Sequence, residues 1–368
     1  MNDKGNRCTK CLIPIGTKGI RFTRDGICHL CIQDNKPKES RPIEAAISIE
    51  QMIREIKERG KGKTYDCLVG LSGGSDSTYV LYQLVKEHNL RCMAAYYRTP
   101  FTPETIDENV RRTVHLLSVP LIEINLPPTY HKAIARKFVL KWSENKEQIM
   151  ANLACAPCKL LNRELFVIAD NYDIPAIVHG DNKYEHANIA AGQFLTNKGD
   201  RYTFYSNALR VFLIAKRGLL FLLKHPDVIL DMALIFKASV LYLNPYTAYL
   251  RLRYPRILVV NYFNHAEWSE LELAEALDEL GWKLPDGCYS VKRADCEFAE
   301  IKNLMFKEAV GATYNDFLFS NLVRYGKLSK EEAMERYERE ARFSILRFKN
   351  ACEVLNITHH LFDIEPEA

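Results

Sequence analysis

From residue 65 onward, short apolar runs alternate with longer stretches whose apolar positions recur at helical spacing. Residues 66–71 read as a buried strand, 77–87 as a helix, 91–97 as a strand, 103–117 as a helix and 121–126 as a strand. Helices are expected near 131–149 and 156–171, and further strands at 175–178 and 257–262. This alternation predicts an α/β fold built on a doubly wound parallel sheet. Upstream, Ser48-Ile49-Glu50-Gln51 is a capping box that opens a helix. Its apolar positions Ile49, Met52, Ile53 and Ile56 share one face, and Gly60 and Gly62 end it. An insertion at about 200–255 reads as mostly helical, as does the chain after 265, where Ser329-Lys330-Glu331-Glu332 is a second capping box.

Length divides this pattern. A chain of 368 residues is expected to hold two or three domains. The divisions fall at a cysteine-bearing module over 1–42, closed by a polar linker at 36–42, a central domain over 43–265 and a helical region over 266–368. With 47% hydrophobic and 26% charged residues the composition is globular, and no repeat or low-complexity tract interrupts it. A net charge of +4 does not demand a nucleic-acid partner, though it leaves room for a local basic patch. The most apolar stretch, 209–243, is broken by Arg210, Lys216, Arg217, Lys224, His225, Asp227, Asp231 and Lys237. It never reaches the ~18 consecutive apolar residues of a membrane span, so it reads as buried or amphipathic helices. A membrane-surface or partner-docking role is the alternative for that stretch. Without an apolar leader at residues 1–5, a cytoplasmic location is expected, where paired cysteines among the eleven point to metal binding or catalysis.

The first chemistry lies where the strand at 66–71 meets the helix after it. Ser72-Gly73-Gly74-Ser75-Asp76-Ser77-Thr78 is a small-residue loop between strand and helix. Glycines there let the backbone approach a phosphate, and free N–H groups at the helix start, with the hydroxyls of Ser72, Ser77 and Thr78, can donate to it. Asp76 would repel phosphate, so its expected role is to hold Mg²⁺ or fix the loop. The loop is neither a Lys-bearing Walker loop nor a G-x-G-x-x-G turn.

Two further constellations stand out. Cys8, Cys11, Cys28 and Cys31 have zinc-ribbon spacing, and four thiolates would close a structural Zn²⁺ site with no open position. Cys155 and Cys158 sit at an expected helix start with Lys159 and Arg163 following, which favours thiolate. That pair reads as a redox or persulfide pair, or as two ligands of a [4Fe-4S] cluster whose third ligand is Cys288 or Cys296. After the strand at 175–178, His179-Gly180-Asp181-Asn182-Lys183-Tyr184-Glu185 lies at the carboxyl end of the sheet, where ligands bind in such folds. Asp181, Asn182 and Glu185 are candidates to hold Mg²⁺ or orient a reacting group, and His179 receives no role.

The loop at 72–78 resembles the SGGxDS pyrophosphate loop of the N-type ATP pyrophosphatases, or PP-loop superfamily. That superfamily includes GMP and NAD synthetases, tRNA thiolases and N-acetyl sugar amidotransferases. The resemblance implies that ATP is cleaved between its α and β phosphates and that an adenylated intermediate forms. Position 75 is often Lys in the thiolases and sugar amidotransferases. Here it is Ser, so the counter-charge falls to Mg²⁺ or another cation, with Lys183 and Arg98 as candidates. The segment at 178–185 resembles the second superfamily motif, and the pair Cys155 and Cys158 resembles that of cluster-holding tRNA thiolases.

Glu267-Trp268, the stretch 280–287, Asp295-Cys296, Ile301-Lys302-Asn303 and the stretch 325–333 resemble the corresponding region of N-acetyl sugar amidotransferases of surface-polysaccharide, including lipopolysaccharide, biosynthesis. That resemblance implies an acetamido carbonyl made into a leaving group with AMP and replaced by ammonia, which a separate glutaminase partner supplies. An iron–sulfur-dependent thiolase of tRNA or a small molecule is the alternative enzyme. A nucleotide-binding scaffold without turnover is the non-enzymatic one.

Overall fold

The computed structural model describes residues 6–34, 47–125, 128–182, 184, 223 and 245–362. Its centre is one all-parallel sheet of five strands: β1 (Cys67–Leu71), β2 (Cys92–Tyr96), β3 (Leu121–Glu123), β4 (Ala176–His179) and β5 (Leu258–Asn261). The order across the sheet is β3-β2-β1-β4-β5. Strands β1 and β2 are apolar almost throughout because helices cover both faces, which is why their sequences read as continuous runs.

Thirteen α-helices are named here. They are α1 (His29–Asp34), α2 (Ile49–Arg59), α3 (Ser75–Tyr82), α4 (Glu104–Leu116), α5 (Pro128–Asn145), α6 (Gln148–Leu153), α7 (Leu160–Asn171) and α8 (Pro245–Arg253), followed by α9 (Glu270–Glu279), α10 (Phe298–Val310), α11 (Tyr314–Arg324), α12 (Lys330–Glu340) and α13 (Ile345–Leu355). The capping boxes expected at Ser48 and Ser329 are both formed. Helix α2 buries Met52, Ile53 and Ile56, three of the four positions its periodicity assigns to the core.

One core lies between a face of the sheet and α2, α3, α9 and α11, uniting Val69, Leu71, Tyr79, Trp268, Leu273 and Leu318. The other face packs Leu68, Met93 and Ile177 against Leu165 and Phe166 of α7 and Leu250 of α8. A further core joins α5, α6, α10 and α13 around Trp142, Phe298 and Phe348, and it includes the four N-terminal cysteines. The cysteine module therefore packs on the C-terminal helices. Arg7 pairs with Asp316 at 2.6 Å, and Lys18 donates its backbone N–H to the Val310 carbonyl at 2.8 Å. Both side chains of the ion pair are almost fully buried.

Several elements depart from expectation in physically readable ways. The helix after the glycine loop at 72–74 starts at Ser75 and passes into a π-helical turn at Gln83–Glu87. The helix expected over 131–149 is two helices, broken where Lys146 takes a positive φ of 33°. Cys155 and Cys158 lie at a 3₁₀ turn, Ala156–Lys159, that precedes α7, because Pro157 suits a tight turn. The described part of the C-terminal region, 266–362, is helical apart from short connections and one longer irregular stretch, 281–297, where Gly281, Pro285 and Gly287 interrupt it. Most of the 200–255 insertion, the linker at 36–42, Lys183 and Glu185 lie outside the described residues. No helix among the described residues is long and apolar enough to cross a membrane.

Candidate functional site

Strands β1 and β4 are neighbours in the sheet although α3, β2, α4, β3 and α5–α7 separate them in sequence. The chain leaves β1 for strands on one side and returns at β4 to build the other. The crevice at their carboxyl ends is thus the topological switch point, where open α/β sheets bind ligands. Leu68 pairs with Ile177 and Val69 with Val178, so the same register brings Leu71 level with Gly180. The loop at 72–78 and the segment at 179–184 therefore flank one crevice.

The loop depends on its glycines. Gly73 has φ +82°, and a Cβ there would lie 2.5 Å from Cγ2 of Ile106 and 2.8 Å from Cγ2 of Val110. A Cβ on Gly180 would meet the Asp76 carbonyl and the Ser77 Cα at 3.2 Å each, so β4 ends directly against the first turn of α3. Gly74 is the N-cap of α3 and offers no side chain to its free N–H groups. The first backbone donors of α3 thus have no intrahelical acceptor and sit at the positive end of the helix. This is an anion-binding geometry.

The hydroxyls divide differently from expectation. Ser72 is exposed and accepts from the Gly74 N–H at 3.2 Å. Ser77 is buried and donates to the Gly74 carbonyl at 3.2 Å, closing the loop on itself. Thr78 is 1% exposed and is core. Ser75 is also buried, its hydroxyl directed to the Val291 carbonyl at 3.5 Å. Of the loop hydroxyls expected to donate, that of Ser72 is left exposed beside the backbone N–H groups.

The irregular segment 281–297 and Trp268 cover the loop from the C-terminal side. Trp268 donates its indole N–H to Oδ1 of Asp76 at 2.9 Å. Trp282 donates to the Gly73 carbonyl at 3.1 Å. The Asp295 carboxylate stands against Gly74, whose added Cβ would lie 3.4 Å from its Cγ. Beside them, Lys292 and Arg336 bind Glu270 at 2.8 and 2.7 Å. Burial opposes ionisation of Glu270, but the Arg336 hydrogen bonds and the charge of Lys292 hold its carboxyl down to about 2.

On the β4 side, Asp181 is exposed at the crevice. Asn182 is buried, and its side-chain oxygen accepts from the Tyr184 N–H at 2.9 Å, so it shapes the turn. The carbonyl of Tyr184 is held by Asn321 at 2.8 Å. Half-buried His179 has its pKa lowered by burial. Arg98 is largely exposed and 3.7 Å from Asp107.

The thiols form two groups. The sulfurs of Cys8, Cys11, Cys28 and Cys31 all lie within 4.8 Å of one another and are buried, a set able to hold a metal ion. The Cys11–Cys28 separation of 3.7 Å matches the edge of a tetrahedral ZnS₄ site, about 3.8 Å for Zn–S bonds of about 2.3 Å. Cys155 and Cys158 sit at one 3₁₀ turn, and Cys155 and Cys296 both pack against the core that holds the N-terminal cysteines; burial raises the thiol pKa of Cys296, as do the charges of Asp295, Cys158 and Cys155. Burial pushes the Cys158 thiol up to about 12, against the lowered value expected of a helix start.

His131 and Tyr97 had no signal in the sequence. His131 places Nε2 3.8 Å from Sγ of Cys158 and Nδ1 3.1 Å from the Tyr97 hydroxyl, and its burial lowers its pKa to about 4. Trp268, Trp282 and Asp295 were visible only as parts of resembling stretches, without roles.

No family model matches the chain, and no curated protein matches it. Among solved structures it is similar to an NMN synthetase from Francisella tularensis, with 13% identity, a TM-score of 0.37, and coverage of 87% of this chain and 96% of that one. An NH₃-dependent NAD synthetase from Campylobacter jejuni subsp. jejuni, solved with nitrate, gives 19% identity, a TM-score of 0.28, and coverage of 55% and 94%. A U34-tRNA thiolase from Methanococcus maripaludis, solved with its [4Fe-4S] cluster, gives 12% identity, a TM-score of 0.37, and coverage of 98% of both chains. Likeness of this degree carries no chemistry to this chain.

Proposed function

We propose that the chain is an ATP-dependent enzyme that cleaves ATP between the α and β phosphates and adenylates a carbonyl oxygen of its substrate. The observation that carries this reading is the glycine loop at the switch point, with free N–H groups at the start of α3 and no lysine in the loop for γ-phosphate transfer. The substrate oxygen attacks the α-phosphorus and pyrophosphate leaves. A nucleophile then adds at the activated carbon, and AMP departs with the former carbonyl oxygen.

The nucleophile in this reading is ammonia from a separate glutaminase, and the substrate is an N-acetyl sugar or sugar nucleotide, whose acetamido group becomes an acetamidine. Support comes from the resemblance of 267–268, 280–287, 295–296, 301–303 and 325–333 to sugar amidotransferases, since three of these stretches supply Trp268, Trp282 and Asp295 to the loop. Asp76 and Asp181, with Glu185, are the carboxylates that would hold Mg²⁺, a hard cation that takes oxygen ligands and neutralises phosphate charge. Cys8, Cys11, Cys28 and Cys31 would hold Zn²⁺ in a closed, structural site.

A second reading has its own support. Cys155 and Cys158 sit at one turn and Cys296 is subject to the charge of both, and three thiols in one neighbourhood are the kind of set that ligates a [4Fe-4S] cluster. Such a cluster would supply a site for sulfur, making the enzyme a thiolase of tRNA or a small molecule.

Mass analysis of an N-acetyl sugar nucleotide incubated with the chain, ATP, Mg²⁺ and ammonia tests both. Replacement of O by NH lowers the product by about one mass unit, with AMP and pyrophosphate released in step. An unchanged sugar, together with a brown anaerobic preparation containing iron, would favour the thiolase. Absence of AMP release with every acceptor would sink the adenylation itself.

A further inference from the structure

The nucleotide reading leaves Asp295 and a buried arginine of the last long helix unexplained. Arg347 is 5% exposed and lies in the first turn of α13. Its guanidinium donates to the Arg293 carbonyl at 2.9 Å and the Cys296 carbonyl at 2.8 Å, and it pairs with buried Glu300 at 3.2 Å. One side chain thus grips the backbone on both sides of Asp295. The grip coincides with a left-handed residue, Arg293 at φ +59°, a conformation unfavourable to a non-glycine residue that persists when surrounding contacts impose it.

The result is a short segment held rigidly over the phosphate loop. Its Asp295 carboxylate faces Gly74 at the mouth of α3, half-buried and with no hydrogen bond or ion pair among the described residues. A lone carboxylate at the rim of an anion cradle would repel a bare polyphosphate. It becomes favourable when a divalent cation lies between the two.

We propose that Asp295 belongs to the nucleotide site, engaging the divalent cation that accompanies the ATP polyphosphate, and that Arg347 is the positioning residue that holds it there. This rests on the nucleotide reading of the 72–78 loop and extends it to the segment that also carries Cys296. It also supplies what Ser75 lacks. Where a lysine would bring positive charge to the loop, this chain recruits a metal ion through a carboxylate from the covering segment.

Titration calorimetry of ATP into the full chain at a series of Mg²⁺ concentrations tests the proposal. Asp295→Asn raises the Mg²⁺ needed for half-maximal ATP binding about tenfold, the loss of one charged ligand contact. Arg347→Lys keeps the charge opposite Glu300 but cannot span both carbonyls, and it produces a shift of the same kind, several-fold. In the double variant the shift is no larger than in Asp295→Asn alone, because the arginine acts through the aspartate. Additive shifts, or a wild-type Mg²⁺ requirement in Asp295→Asn, would overturn it.

A measurement on the unaltered chain stands if Arg347→Lys does not fold. Hydrogen exchange of the 293–297 backbone, read by peptide mass analysis, slows several-fold when Mg²⁺ and ATP are present together and not with ATP alone, since the cation ties the Asp295 carboxylate to the bound nucleotide. Equal rates would count against Asp295 as a cation contact. Failure of the unaltered chain to bind ATP at any Mg²⁺ concentration would instead refute the nucleotide reading.

Discussion

Trp268 and Asp76 are 192 residues apart and meet at 2.9 Å, indole N–H to carboxylate, across the phosphate loop. The contact ties the first turn of α3 to the segment that opens the C-terminal region. It gives Asp76 a fixed orientation before any ligand arrives, and preorganisation of that kind raises affinity by lowering the ordering cost of binding. Trp268→Phe keeps a ring beside Tyr184, whose centroid lies 5.6 Å from that of Trp268, and removes the donor. The lost hydrogen bond to a charged group is worth about 1.5–3 kcal/mol, so ATP affinity in Mg²⁺ falls by roughly tenfold or more by calorimetry. Unchanged affinity with an unchanged melting temperature would show that Asp76 does not need the tryptophan.

Adjacent glycines in the loop have different obligations. Gly73 is left-handed, and its Cβ position is filled by Ile106 and Val110. Gly74 has an ordinary φ of −69°, and its nearest neighbours would be 3.3 to 3.5 Å from an added Cβ. Gly73→Ala is therefore expected to cost about 2–4 kcal/mol of stability through overlap and backbone strain. Gly74→Ala is expected to cost under about 1 kcal/mol. Urea midpoints of the two variants, compared at equal slope, check the difference. Equal losses would mean that the loop relaxes around either side chain.

What the sequence made legible is what is local in it. The strand, glycine loop and helix of 67–82 are contiguous, so their order alone specified an anion cradle, and the tetrad from Cys8 to Cys31 revealed itself by spacing. The parallel sheet was readable because β1 and β2 are buried on both faces and so are apolar throughout. The cover of the site was not readable. Trp282 reaches Gly73 across 209 residues, and Arg347 grips carbonyls more than 50 residues away, contacts that no periodicity encodes. The partners of Ser77, Thr78 and Asn182 were hidden for a related reason. Small polar residues next to a glycine turn can serve a ligand or the turn itself, and only burial and partners distinguish the two. In this chain Ser77 and Asn182 serve their turns and Thr78 is core.

The charge network behind the loop gives the site an acid limit. Glu270 is held down to about 2, burial opposing the shift while Arg336 and Lys292 supply it. In an unfolded chain a glutamate titrates near about 4.3, so the unfolded state binds the proton first as pH falls. The stabilisation from this carboxylate is therefore complete above about pH 5 and is lost progressively toward pH 2. Glu270→Gln lowers the melting temperature at neutral pH, where the wild-type carboxylate neutralises two cations. It also flattens the acid limb, so the two profiles approach each other between about pH 5 and 2. Parallel profiles over that window would show that Glu270 does not carry the acid dependence. The same network bears on the proposed nucleotide site, because Lys292 follows Val291, whose carbonyl faces the Ser75 hydroxyl, and its ammonium lies 5.7 Å from the Trp268 ring. Glu270→Gln should therefore also weaken ATP binding in Mg²⁺ at neutral pH, by less than Trp268→Phe does, since it loosens the cover without removing a contact to the loop.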